Sequence, residues 1–194
     1  MRFLSFVFIF LANCVWASDL IRVPLGKLPV GTLMVYESSS GSVQVRRLVR
    51  ADDQGFQLDR LSSSSNRPVS SSMLLDVEGR VIGERYPSGR EYRYEPHNCS
   101  RVIGECAFEM TNPIGDRHKR KYRSVLKDGT LHVDVMNDHD HVLEQYQIIY
   151  DETGMVLSVF SEQTDSQDKP ASFLKLVGLI QPGEQPILGV SVSE

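Results

Sequence analysis

An all-β fold, an antiparallel meander curled into a sheet or an open barrel, is predicted by three observations. From Gly31 to Glu162 the chain runs in short stretches where apolar and polar residues alternate, the period of half-buried strands. Gly, Asp, Asn and Ser clusters break these stretches about every ten residues, the spacing of hairpin turns. The count reaches roughly ten to eleven strands, more than a flat sheet carries without curling or closing.

Taken in order, Thr32 to Ser38 reads as the first strand, and Ser39-Ser40-Gly41 turns it into Ser42 to Arg50, where Val43 and Val45 share a face. Asp52-Asp53-Gln54-Gly55 turns again, and Phe56 and Leu58 alternate with Gln57 and Asp59. The stretch Ser62-Ser63-Ser64-Ser65-Asn66-Arg67-Pro68 has little to bury and carries a proline, so it reads as a loop. Ser71 to Asp76, Arg80 to Tyr86 and Arg90 to Glu95 follow, joined by Val77-Glu78-Gly79 and Pro87-Ser88-Gly89, whose glycines supply the positive φ that tight hairpins need. The remaining strands are expected at Glu105 to Thr111, Arg117 to Leu126, Thr130 to Met136, Val142 to Tyr150 and Met155 to Glu162. Past Pro170, the spacing of Phe173, Leu174, Leu176, Val177 and Ile180 suits either a short amphipathic C-terminal helix or a last strand, ended by Pro182-Gly183. The segments from Asp76 through Tyr94, and from Tyr150 to Gly154, resemble the Tyr-Asp hairpin repeats of large secreted shell proteins, which implies shared hairpin chemistry there.

Residues 1–17 read as a signal peptide. Arg2 precedes an apolar run from Phe3 to Val15, and Val15-Trp16-Ala17 ends on a small residue suited to cleavage, leaving residues 18–194 as a single all-β domain. The run is too short for a permanent span of a bilayer core of about 30 Å, so no transmembrane segment is expected after cleavage. Periplasmic or secreted localisation follows. Leu11-Ala12-Asn13-Cys14 resembles a bacterial lipobox, with Asn13 where the pattern has a smaller residue; it implies the alternative of a lipoprotein anchored through Cys14.

Cleavage removes one base and no acid, taking the net charge from −4 to one unit more negative. That balance argues against general affinity for nucleic acid, a polyanion. It leaves Cys99 and Cys106 as the cysteines of the exported chain, and an even pair this close in an oxidising compartment reads as a disulfide across a small hairpin-tip loop.

Two polar clusters stand out. Asn137-Asp138-His139-Asp140-His141, with His132 in the preceding strand, offers imidazole and carboxylate ligands; His132, Asp138, His139 and His141 are therefore metal candidates. The competing reading is a hairpin turn, where Asn and Asp bond their own backbone. In Arg117-His118-Lys119-Arg120-Lys121-Tyr122-Arg123, a strand places Arg117, Lys119, Lys121 and Arg123 on one face, either as a wet edge strand or as a contact surface for anions. Among catalytic motifs, the chain has no Gly-x-Ser-x-Gly, no His-Glu-x-x-His, no phosphate-binding glycine loop and no Cys-x-x-Cys, and no cofactor motif is found. His97 and His118 are the histidines a hydrolytic site would draw on.

These readings lead to an exported, non-enzymatic binding protein of the cell envelope. A concave face carrying Leu33, Val35, Val43, Phe56, Leu58, Tyr92, Phe108, Val133, Ile148 and Phe160 would hold a lipid, acyl or peptide ligand. The first alternative is an interaction protein docking on an envelope partner through residues 117–123; a hydrolase with an unrecognised site is the third.

Overall fold

The computed structural model describes residues 24–61, 69–163 and 171–184. The leader, Cys14, the serine-rich stretch 62–68 and the end of the chain lie outside the described residues. A short 3-10 turn, Pro24–Lys27, precedes twelve strands: β1 Leu33–Ser38, β2 Val43–Asp52, β3 Gly55–Leu61, β4 Val69–Leu75, β5 Val81–Arg85, β6 Glu91–Glu95, β7 Gly104–Thr111, β8 Arg117–Lys127, β9 Thr130–Met136, β10 Val142–Tyr150, β11 Val156–Gln163 and β12 Ser172–Ile180. Each pairs antiparallel with its neighbours in sequence, and β1 pairs with β12, so the meander closes into a barrel. The all-β antiparallel architecture is as the sequence predicts, with one strand more than the upper count and full closure.

The C-terminal segment settles as a strand. No helix forms there, because Leu174 and Leu176 turn into the barrel while Phe173 and Lys175 face outward, a period of two. In-register pairs Leu33↔Ile180 and Ser38↔Leu174 bracket the seam, which otherwise would leave two bare edges.

Four of the turns are built on one template, an Asx side chain whose Oδ1 accepts from the backbone two and four residues on. Asp76 accepts from Glu78 and Arg80. Asn112 accepts from Ile114 and Asp116, Asn137 from His139 and His141, and Asp151 from Thr153 and Met155. The residue between the two donors, three on from the Asx, has positive φ in all four, and it is Gly except at Asp140, whose φ is 59°. Asp tolerates that conformation better than most residues, since its short side chain bonds locally.

Two clusters fill the barrel. Leu25, Met34, Leu48, Phe56, Leu75 and Met155 belong to one, at the end where the chain enters; Cys99, Phe108, Tyr122, Leu131 and Val135 belong to the other, on the β7–β10 side. The end bearing Leu25 is also where the β6–β7 connection folds inward, with Cys99 and Val102 buried. We call this the capped end. The Cys99–Cys106 disulfide, with Cα atoms 5.8 Å apart, pins that connection to β7. It does not sit at a projecting hairpin tip, because Cys99 and Val102 gain more by packing into the barrel end than by lying in solvent.

Gly55 tests the wall at close quarters. Its φ is +118°, and a Cβ there would lie 2.1 Å from the Leu75 carbonyl oxygen, a backbone atom that cannot move aside alone. Gly41, φ +75°, has nothing within 4 Å of the same position. We expect Gly41→Ala to cost about 1 kcal/mol from the backbone alone, and Gly55→Ala clearly more, read as the shift in urea midpoint; equal costs would show that the β3–β4 approach is looser than described.

Candidate ligand-binding site

Between the two clusters the lumen holds a cavity of about 280 Å³. Its apolar lining comes from both sides: Met34, Leu58 and Leu75 from the first, Val133, Ile148 and Val159 from the β9–β11 wall. Its polar lining is unusual for the inside of a small barrel, with Tyr36, Tyr94, Tyr122, Tyr146 and Tyr150, the charged Arg46, Glu84 and Arg101, and Asn98 and Ser100.

Each polar group arrives by a separate structural device. Tyr36 and Arg46 point inward on β1 and β2, and the Arg46 guanidinium carbon lies 5.1 Å from the Tyr36 ring centre. Arg101 comes from the pinned β6–β7 connection, with its guanidinium 5.6 Å from the Tyr150 ring centre and Nη1 donating to the Gly154 carbonyl at 3.4 Å. The Asn98 amide donates to the Val81 carbonyl at 2.7 Å, and the Tyr150 hydroxyl donates to the Ser100 carbonyl at 3.3 Å, so this connection is fastened to both sides of the barrel. Burial pulls the Arg101 pKa below the ordinary arginine value, and the like charge of Arg46 acts in the same direction.

The phenols are displaced the other way. Burial raises Tyr36, Tyr122 and Tyr150 above 10.0, pushes Tyr94 up to about 12 with Glu84 adding to the effect, and raises Tyr146 further with help from its hydrogen bond to Glu144. These rings stay neutral hydrogen-bond donors across the physiological range.

The concave face expected from the sequence is partly this one. Leu58, Val133 and Ile148 line the cavity, and Phe56 and Phe108 sit in the two clusters. Val43 and Phe160 are 50% and 38% exposed and belong to the outer wall, as does Val35, which alternates with the inward Met34 and Tyr36. Tyr92 packs on Tyr86 away from the cavity.

The two polar clusters of the sequence lie outside the lumen. Asn137 to His141 is a turn of the template above; His139 and His141 are 6.5 Å apart by ring centres, and Asp140 accepts from Lys121 Nζ at 2.8 Å. His132 lies on the outer face of β9 opposite Gln147, four residues short of the strand end, and is not brought to them. Among the described residues, metal-capable donors meet in a group only at His97, Cys99 and Cys106, where both sulfurs are engaged in the disulfide. Arg117, Lys119, Lys121 and Arg123 do share the outer face of β8. It is no edge strand, however, since the barrel has none, and three of its four charges are met by neighbours: Arg117 by Glu109 at 3.2 Å, Lys121 by Asp140 and Arg123 by Glu105 at 3.4 Å. His97 sits in the capped-end connection and His118 at the opposite end of the β7–β8 hairpin, so the length of the barrel separates them.

Comparison with protein-family models, with curated proteins and with solved structures returns no match. What the site can do therefore rests on its own geometry.

Two measurements bear on this description. Replacing Asn137 with Ala removes an acceptor for two backbone N–H groups and is expected to cost about 1–2 kcal/mol, whereas His139→Ala and His141→Ala stay within about 0.5 kcal/mol; the reverse order in urea unfolding would contradict the turn. Because the native phenols hold their protons above 10.0 while unfolded ones release them, the unfolded state binds fewer protons there. The contribution of these phenols to stability is therefore intact below pH 10 and falls as pH rises from about 10 toward about 12. Phenolate absorbance should rise together with loss of β-structure in an alkaline titration; a gradual rise on a folded barrel would show the rings to be solvated.

Proposed function

We propose that the protein is a non-enzymatic binding protein that carries a small amphipathic molecule in the lumen of its barrel, in an oxidising compartment outside the cytoplasm. The observation that carries this reading is the cavity itself. Small barrels are ordinarily filled by side chains, whereas a wider one leaves space, and about 280 Å³ of mostly apolar space with a few convergent polar groups is the character of a ligand site. The disulfide supports the compartment, since thiol pairs persist oxidised mainly where the surroundings are oxidising.

The outer wall favours a barrel that works in water. Strands β7 and β8 carry Glu105, Glu109, Arg117 and Arg123 outward in cross-strand ion pairs, and in lipid each such basic residue would cost about 2–4 kcal/mol near the bilayer centre. The same pairs weigh against docking through residues 117–123, because a partner would have to displace bonds already made within the wall.

The test is native and denaturing mass spectrometry of the protein from its own exported fraction, followed by binding of a neutral naphthylamine probe. An added mass that denaturation removes, and probe fluorescence lost when Met73, which lines the cavity from β4, is replaced in a lumen-filling Met73→Trp variant, are the expected results. A bare protein whose probe binding is indifferent to Met73→Trp would overturn the proposal.

A further inference from the structure

Resting on the lumenal reading above, we infer that the ligand is a single-chain carboxylic acid of medium length, held as its anion by Arg101 and Arg46. Arg101 lines the cavity, where it makes one long hydrogen bond to the Gly154 carbonyl and lies over the face of Tyr150. Arg46 lines it too and lies over the face of Tyr36. Neither makes an ion pair with a carboxylate among the described residues, although the outer wall is rich in such pairs.

Withdrawing a guanidinium from water is costly unless something replaces the lost solvation. For Arg101 the replacement from the protein is one aromatic face and one carbonyl, fewer partners than its five N–H donors can take. Arg46 brings a second cation to the lining of the same cavity. Two guanidinium groups lining one cavity without a carboxylate partner among the described residues are a poor way to stabilise a barrel and a good way to receive an anion, since the guanidinium fork matches the two oxygens of a carboxylate.

The other lining groups narrow the class. Glu84 is in the same lumen, so the charged lining sums to a single positive charge, which one monoanion neutralises and a dianionic phosphate would exceed. The phenol of Tyr36, beside Arg46, is a neutral donor that can share a carboxylate, whereas the Tyr150 hydroxyl is engaged with the Ser100 carbonyl. Beyond the arginines the walls are Leu58, Val133, Ile148 and Val159, which suit an alkyl chain. A volume of about 280 Å³ stands at the lower end of ligand pockets, room for one chain of medium length and too little for a two-chain lipid.

The experiment is displacement of the neutral naphthylamine probe from the full-length exported protein by decanoate, decanol and decyltrimethylammonium at neutral pH. Decanoate is expected to displace at about tenfold or more lower concentration than decanol, and the cation least well, the scale of one charge-assisted hydrogen bond. Arg101→Met and Arg46→Met should each weaken decanoate about ten- to a hundredfold while leaving decanol within about threefold, and Arg101→Lys should restore part of the loss. Glu84→Gln, which leaves both arginines and the capped end untouched, should tighten decanoate.

Equal displacement by all three amphiphiles would overturn the inference and leave the lumenal site standing. Preference for decanoate that survives both arginine variants would overturn it as well, by placing the anion elsewhere. If the probe binds but none of the three displaces it, single-chain amphiphiles are excluded; if the probe does not bind at all, the lumenal reading itself falls.

Discussion

Everything in this molecule depends on the pairing of its first strand with its last. Until β12 meets β1, the meander has two unpaired edges and its inward side chains face an open trough. Closure satisfies the remaining backbone groups, fixes which face of each strand is inside, and creates the lumen. The seam is also irregular: the register shifts between Val35, which pairs with Gly178, and Tyr36, which pairs with Leu176. A long-range pairing of this kind has a high entropic cost in folding, since the joined residues are separated by almost the whole barrel.

Closure by twelve strands has a consequence for the interior. The perimeter is too long for one layer of side chains to meet across the middle, so the core divides into two clusters with space between them. Residues at that boundary can be polar at modest cost, provided they find partners, and it is there that five tyrosines, two arginines and a glutamate collect. The disulfide acts on the same region from the capped end. It holds the connection that carries Asn98, Ser100 and Arg101 against the wall, and so sets how far Arg101 reaches inward.

Much of the wall was legible in the sequence, because it obeys local rules. The Asx template at Asp76 and Asp151, the glycines that follow, and the alternation in β3, β9 and β10 each announce a hairpin within a few residues. The helix-or-strand ambiguity after Pro170 could not be resolved that way, since Leu174 and Leu176 fit either period until β1 supplies a partner. The candidate site was the least visible part. In β2 the valines at 43 and 45 suggest an inward face, yet Arg46 is the one that points into the lumen, an inversion no amphipathic rule anticipates. Arg101 lies between two cysteines whose spacing suggests an exposed tip, and only the packing of Cys99 and Val102 turns that segment inward. The conspicuous histidines and lysines, by contrast, lie in a turn and on the outer wall, where Asn137 holds the turn backbone and Lys121 and Arg123 make cross-strand pairs.

An even number of strands in a simple meander brings the chain back to the end from which it started. Leu33 and Ile180 are neighbours, and the turn bearing Leu25 caps the same end. The barrel therefore has a polarity with respect to any tether. A lipid at the front of the chain, a fusion at its back, or an immobilising tag on either would all fasten it by the capped pole. The turns at 39–42, 86–90, 112–116 and 137–141 would then face away from the surface, leaving that rim free to meet whatever approaches from solution.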